Sequence, residues 1–163
     1  MRVVLMGVSG CGKSTVGAAL SARLRIPYRD GDDLHSAANV AKMARGEPLT
    51  DADRAPWLRA VGAALRDGAP LIIGCSALKR TYRDLIRAEA GGPVTFVHLA
   101  GAREMIAARM AARTGHFMPP ALLDSQFAAL EPPGADEGAV TVEIDQPLAA
   151  LVERVAVAVA GRG

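Results

Sequence analysis

Lys13 and Ser14 close an eight-residue stretch, Gly7-Val8-Ser9-Gly10-Cys11-Gly12-Lys13-Ser14, with the pattern G-x-x-x-x-G-K-[ST]. The apolar run Val3-Val4-Leu5-Met6 leads directly into it. A strand feeding a glycine turn that opens a helix aims successive backbone N–H groups, and the positive end of the helix dipole, at one spot. That arrangement suits the phosphates of a nucleoside triphosphate. In it Gly7, Gly10 and Gly12 let the backbone approach the phosphates, Lys13 reaches the β and γ groups, and the Ser14 hydroxyl ligates Mg²⁺. A chance glycine-rich turn is the alternative, but a readable strand before and helix after favour the phosphate loop.

A second cluster with chemical potential is Tyr28-Arg29-Asp30-Gly31-Asp32-Asp33. If the strand continues through it, Asp30 and Asp32 share a face. Phosphoryl transfer uses one carboxylate to hold Mg²⁺ and another to orient the acceptor hydroxyl and take its proton. Asp32 is read as chemical, and Asp33 as the cap of the following helix. Cationic groups then recur at element ends: Lys42 and Arg54, Lys79 and Arg80, and Arg109, Arg113 and His116. Arg109 and Arg113 are four apart, hence on one helical face, with one suited to stack on a base and the other to clamp a transferring phosphate. His98 lies in an apolar run and is read as a satisfied core residue. His35 and His116 are read as hydrogen-bond partners for a polar acceptor. No His/Cys spacing resembles a zinc site.

These residues need a scaffold that brings them together. Apolar β-type runs at Val3–Met6, Ile26–Tyr28, Leu71–Cys75, Val94–Leu99 and Val140–Ile144 alternate with amphipathic stretches at 13–24, 33–44, 53–66, 78–89, 102–113, 120–130 and 147–159. The alternation predicts an α/β fold with a parallel sheet covered by helices on both faces. In such sheets ligands bind beyond the carboxyl ends of the strands, where the glycine loop already lies. Two segments exceed what a crossover requires. Residues 32–68 are read as an acceptor-binding insertion and 112–131 as a lid that excludes water.

With 163 residues the chain has room for one α/β domain spanning 1–163 and not for two ordinary ones, so the acceptor site must come from insertions in that domain. A formal charge of +2 with scattered arginines leaves no nucleic-acid footprint. No apolar stretch reaches membrane-spanning length, and a start only six residues before the loop leaves no room for a signal peptide. A cytoplasmic location is therefore expected, with Cys11 and Cys75 as buried thiols rather than a disulfide.

The motif set as a whole resembles the gluconokinases, in the shikimate-kinase-like group of P-loop kinases with the nucleoside-monophosphate-kinase fold. It includes the loop through Thr15, Asp30-Gly31-Asp32 with Leu34-His35, Asn39, Lys42-Met43, Gly46-Glu47-Pro48-Leu49, Asp53-Arg54 and Pro56-Trp57-Leu58. It continues with Cys75-Ser76-Ala77-Leu78-Lys79-Arg80, Tyr82-Arg83-Asp84, Gly115-His116-Phe117, Ser125-Gln126-Phe127, Leu130-Glu131, Pro133-Gly134-Ala135-Asp136-Glu137 and Asp145-Gln146-Pro147. The resemblance implies transfer of the ATP γ-phosphoryl group to the 6-hydroxyl of D-gluconate, with Mg²⁺. It also implies a five-stranded sheet in the order 2-3-1-4-5 and a homodimer.

Residue by residue, the resemblance implies nucleotide contacts from Gly10, Cys11, Gly12, Lys13, Ser14, Thr15, Arg109, Gln146 and Pro147, and metal contacts from Ser14 and Asp30. Catalytic roles fall to Lys13, Asp32 and Arg113, and gluconate contacts to Asp32, His35, Lys42, Arg54, Lys79, His116 and Gln126. Three other readings compete. Shikimate kinases usually carry a Gly-Gly-Gly turn where Gly74-Cys75-Ser76 stands, adenylate-type kinases carry a different lid, and a silent nucleotide-binding module has no need of Lys13, Asp30, Asp32 and Arg113 together.

Overall fold

The computed structural model describes residues 1–112 and 120–162. Strands β1 (Arg2–Met6), β2 (Tyr28–Asp30), β3 (Leu71–Gly74), β4 (Thr95–Ala100) and β5 (Val140–Glu143) form one parallel sheet in the order β2-β3-β1-β4-β5. That is the expected order. The helices are α1 (Lys13–Leu24), α2 (Ala37–Ala44), α3 (Asp51–Gly68), α4 (Arg80–Glu89), α5 (Arg103–Ala112), α6 (Pro120–Ala129) and α7 (Leu148–Ala160).

β1 is central, and its side chains alternate between two buried layers. Val3 and Leu5 pack with Leu20 of α1, Ile106 of α5 and Val155 of α7. Val4 and Met6 pack with Leu58, Val61 and Leu65 of α3 and Ile86 of α4. A strand covered on both faces must be apolar at every position, which is why the runs in the sequence are continuous.

Several elements differ from the reading of the sequence. β2 occupies Tyr28–Asp30 rather than Ile26–Tyr28. Pro27 has no N–H to donate, so it contributes only its carbonyl, which accepts from Ile72. The helix expected over 33–44 is broken. Residues Gly31–Leu34 form a 3₁₀ turn, and α2 begins after Ser36, whose hydroxyl accepts from the Asn39 N–H at 3.1 Å. Ser36, not Asp33, is the cap. α3 starts two residues early because Thr50 and Asp53 form a reciprocal capping box, which leaves Pro56 inside the helix rather than in its first turn.

Tyr28 controls the space on either side of it. A Cβ on Gly17 of α1 would lie 2.2 Å from its ring, and one on Gly74 of β3 would lie 2.3 Å from its hydroxyl. The two glycines are the room the ring requires.

α4 begins at Arg80 rather than Leu78 because the preceding loop turns at Ala77, whose φ of 45° is left-handed. Such a residue costs on the order of 1–3 kcal/mol and persists only when its surroundings hold it. Arg83 does so. Its guanidinium donates to the Ala77 and Leu78 carbonyls at 2.9 and 3.2 Å and grips the Glu137 carboxylate with bonds of 2.8 and 3.0 Å. Both side chains are essentially inaccessible, at 0% and 1% exposure, so neither charge has water to fall back on.

Arg87 also donates to Glu137, and hydrogen bonds from Arg83 lead the causes that hold this carboxyl down to about 2. Glu137→Gln is expected to cost about 3–5 kcal/mol, the usual price of leaving one buried charge unpaired. Because the folded value lies below the ordinary one, this contribution is complete above pH ~4.5 and fades as the pH falls toward ~2. Chemical denaturation across that range should show a steep acid slope that flattens in the variant.

Candidate active site

The glycine loop joins β1 to α1 at the carboxyl edge of the sheet. Gly10 and Gly12 have φ of 81° and 98°, a region open to glycine at little cost. Gly12 occupies the cap position of α1 without a side chain to satisfy the first-turn N–H groups. Those donors are the ones an anion takes. The Lys13 ammonium folds back over the loop and donates to the Gly7 and Val8 carbonyls at 2.9 and 3.1 Å. Gly7 in turn donates to the Ser76 carbonyl at 3.2 Å, tying the loop to the turn after β3.

Beside the loop lies a cleft of about 390 Å³, walled by Thr15, Arg109, Met110, Ile144, Gln146 and Leu148, among others. It is mainly apolar with a few polar groups, the character of a small-molecule site. Arg109 is fixed across it by donating to the Ile144 carbonyl at 3.1 Å. Gly10, Cys11 and Gly12 of the glycine loop line one part of it. Arg109 and Gln146 are both in the wall, whereas Pro147 is the cap residue of α7 and is not part of it.

On the other side of the loop, Asp30 ends β2 and Asp32 lies in the 3₁₀ turn, so the two do not alternate along one strand as expected. Asp30 instead bends the chain: its Oδ1 accepts from the Asp32 N–H at 2.9 Å. The turn carries Asp32 toward Lys13 and His35. Crowding by the surrounding chain raises the Asp32 pKa, the Asp30 charge raises it further, and His35 and Lys13 oppose both.

His35 stacks on Trp57, with centroids 4.1 Å apart, and Trp57 donates its indole N–H to the Gly31 carbonyl at 2.8 Å. The only tryptophan therefore anchors α3 to the turn that bears Asp32. Burial lowers the His35 pKa; the Asp32 charge works against this and the Arg54 charge with it, so His35 lies electrically between those two.

Beyond His35 two cations meet on one ring. Arg54 of α3 and Lys79, just before α4, each lie 5.6 Å from the Tyr82 centroid. The Tyr82 hydroxyl donates to Asp51 at 2.5 Å, and Lys79 is 3.6 Å from the same carboxylate oxygen. This bond leads the causes that hold Asp51 below the ordinary carboxylate range. Two cations against the one Asp51 carboxylate leave positive charge around the Tyr82 ring. The Lys13 charge reaches Asp32, Asp32 lies beside His35, and His35 feels Arg54, so the glycine loop, the Asp32 carboxylate and the Arg54–Lys79 cluster are neighbours in that order.

Comparison with known proteins places the chain among its relatives. Residues 3–133 match the family model described as an AAA domain. The chain is 47% identical over 154 residues to the thermoresistant gluconokinase of Escherichia coli, covering 91% of this chain and 87% of that protein. It is 49% identical to the gluconokinase of Gluconobacter oxydans, covering 86% and 80%. Among solved structures, a gluconokinase from Sinorhizobium meliloti superposes with a TM-score of 0.91 at 46% identity, covering 99% of this chain and 92% of that one. This chain belongs to the gluconokinase family. A shikimate kinase from Bacteroides thetaiotaomicron, 16% identical with a TM-score of 0.73, shares the fold.

Several side chains named from the sequence make contacts within the protein that the sequence did not announce. Lys42 is paired with Asp53 at 2.6 Å, and that bond, first among several, brings Asp53 down to about 2. Lys42 therefore clips α2 to the capping box of α3. Gln126 uses both ends of its amide on Ser9 of the glycine loop. Tyr82 and Asp51, which sequence reasoning did not single out for the site, complete the cationic pocket; the spacing of Tyr82 three residues after Lys79 was the available signal.

His98 is in the core as expected, but its buried Nδ1 has no partner among the described residues, so it is not the satisfied histidine that was anticipated. Cys11 and Cys75 are buried free thiols, and burial pushes Cys75 up to about 12. Arg113 and His116 lie outside the described residues. Among the described helices none is long and apolar enough to cross a membrane.

Proposed function

We propose that this chain transfers the γ-phosphoryl group of ATP to the 6-hydroxyl of D-gluconate, giving 6-phosphogluconate and ADP. The observation that carries the reading is the gathering of Arg54 and Lys79 on the Tyr82 ring, with His35 between Arg54 and Asp32. Gluconate is a flexible polyol with a carboxylate at one end and a primary hydroxyl at the other. A cationic pocket suits the first and a carboxylate base the second. We assign the 32–68 insertion to the acceptor, and 112–131 to a lid, on that basis.

The roles of individual residues follow from their positions. Lys13 and the backbone of 10–15 hold the phosphates, and Arg109 with Gln146 line the nucleoside end. Asp32 orients the acceptor hydroxyl and takes its proton. Arg113 and His116 keep the roles that the resemblance implies, a phosphate clamp and an acceptor contact. Ser14 and Asp30 offer the hard oxygen donors that suit Mg²⁺, which is usually held by one or two carboxylates together with substrate phosphates. When bound, the ion neutralises charge on the β and γ oxygens. A cytoplasmic homodimer is the corresponding assembly and location.

An ADP-release assay with gluconate, shikimate and AMP as acceptors tests the proposal. Turnover with gluconate alone is expected, and turnover with shikimate or AMP in its place would overturn the reading. Arg54→Ala should raise KM for gluconate by on the order of tenfold or more with little change in kcat, because a contact made equally in ground and transition states acts on binding.

A further inference from the structure

Gln126 lies on α6, 117 positions from the residue it binds. Its Oε1 accepts from the Ser9 backbone N–H at 2.7 Å, and its Nε2 donates to the Ser9 hydroxyl at 3.0 Å. A backbone N–H can only donate, so the amide orientation is fixed by chemistry: the oxygen must face Ser9 N and the nitrogen must face Ser9 Oγ. Both ends of the side chain are thereby engaged with the phosphate loop.

We propose that Gln126 is a positioning residue that acts through Ser9 to set the shape of the phosphate loop, rather than a contact for the sugar acid. The proposal rests on the kinase reading above.

Three observations support it. The first half of the loop is held by two protein acceptors: Gly7 donates to the Ser76 carbonyl, and Ser9 donates to Gln126. The Val8 carbonyl between them receives Lys13 at 3.1 Å, so a shift of Ser9 also moves the acceptor on which the phosphate-binding lysine rests. Finally, the chain just after α6 is fastened to the acceptor side. Glu131 donates its N–H to the Leu78 carbonyl at 2.7 Å and accepts from the Arg80 N–H at 2.8 Å. One short segment, 126–131, therefore spans the phosphate loop and the turn that carries Lys79. Gln126 is the polar link at its nucleotide end.

Steady-state kinetics of Gln126→Ala, Ser9→Ala and the double variant test this, with nucleotide binding followed by calorimetry. Gln126→Ala should lower kcat on the order of 10- to 100-fold, the scale of a small misplacement of reacting groups, with KM for gluconate changed by less than about threefold. Ser9→Ala removes only the acceptor of Nε2. It should produce a smaller fall of the same kind. In the Ser9→Ala background the further loss from Gln126→Ala should shrink, because the two changes break one linkage.

A rise in KM for gluconate with kcat intact would make Gln126 a sugar contact and overturn the proposal. So would additive losses in the double variant, or no kinetic change in a folded Gln126→Ala protein. If Gln126→Ala melts below the assay temperature, Ser9→Ala alone decides through its split between kcat and KM. Wild-type turnover with gluconate, measured alongside, separates a failure of this assignment from a failure of the kinase reading.

Discussion

Lys13→Ala is expected to reduce turnover by on the order of 10³-fold or more, the scale of losing a preorganised donor to transition-state charge. Its ammonium rests on the Gly7 and Val8 carbonyls, within the mouth of the loop. Phosphoryl transfer passes through a loose transition state in which there is little covalent work for the protein, so positioning and charge neutralisation account for most of the rate. The side chain is not part of either buried layer, and the melting temperature should stay within a few degrees of the parent. ATP affinity measured by calorimetry should fall as well, since the same contact exists in the ground state. Wild-type turnover in a folded Lys13→Ala protein would remove the loop from the chemistry.

Asp32→Asn is expected to lower kcat by about 10²–10⁴-fold, the range for a general base. ATP binding should remain within a few fold, because the asparagine keeps the shape and loses only the capacity to accept a proton. The pH profile supplies an independent signature. Crowding and the Asp30 charge raise the Asp32 pKa, so the acid limb of kcat/KM should lie above the ~3.9 of an ordinary aspartate. Activity falls as Asp32 is protonated, and in the variant that limb should disappear from the residual rate. A variant that kept more than about a tenth of the parent kcat would show that Asp32 is not the base.

The sheet and the phosphate loop were legible because each rests on local, strongly patterned signals. A buried β1 must be apolar throughout, and a loop that bends at Gly10 and Gly12 must place glycine there. The turn at 31–36 was less legible because the competing element was equally local: Asp30 and Ser36 each bond a backbone N–H two or three residues on, and together they break a pattern that otherwise suits a helix. Side-chain contacts were not legible where the partner is distant in sequence. Nothing near Lys42 announces Asp53, and nothing near Gln126 announces Ser9. Arg54 and Lys79 were named for their charge and for the resemblance; the ring of Tyr82 that gathers them is a property of how α3 packs beside α4.

Gly17, Tyr28 and Gly74 illustrate how such distant dependence constrains change. A glycine inside a helix is a familiar target for stabilisation, since alanine there gains roughly 1 kcal/mol of intrinsic preference. At position 17 the added methyl would meet an aromatic ring at 2.2 Å, and at position 74 any side chain would meet the phenol oxygen at 2.3 Å. The three residues form one unit of volume shared by a helix and two strands. Mutational libraries that vary them singly should find each intolerant, whereas libraries that shrink position 28 together with enlarging 17 or 74 open routes that single steps do not reach. For evolution and for engineering alike, these sites are inherited as a set.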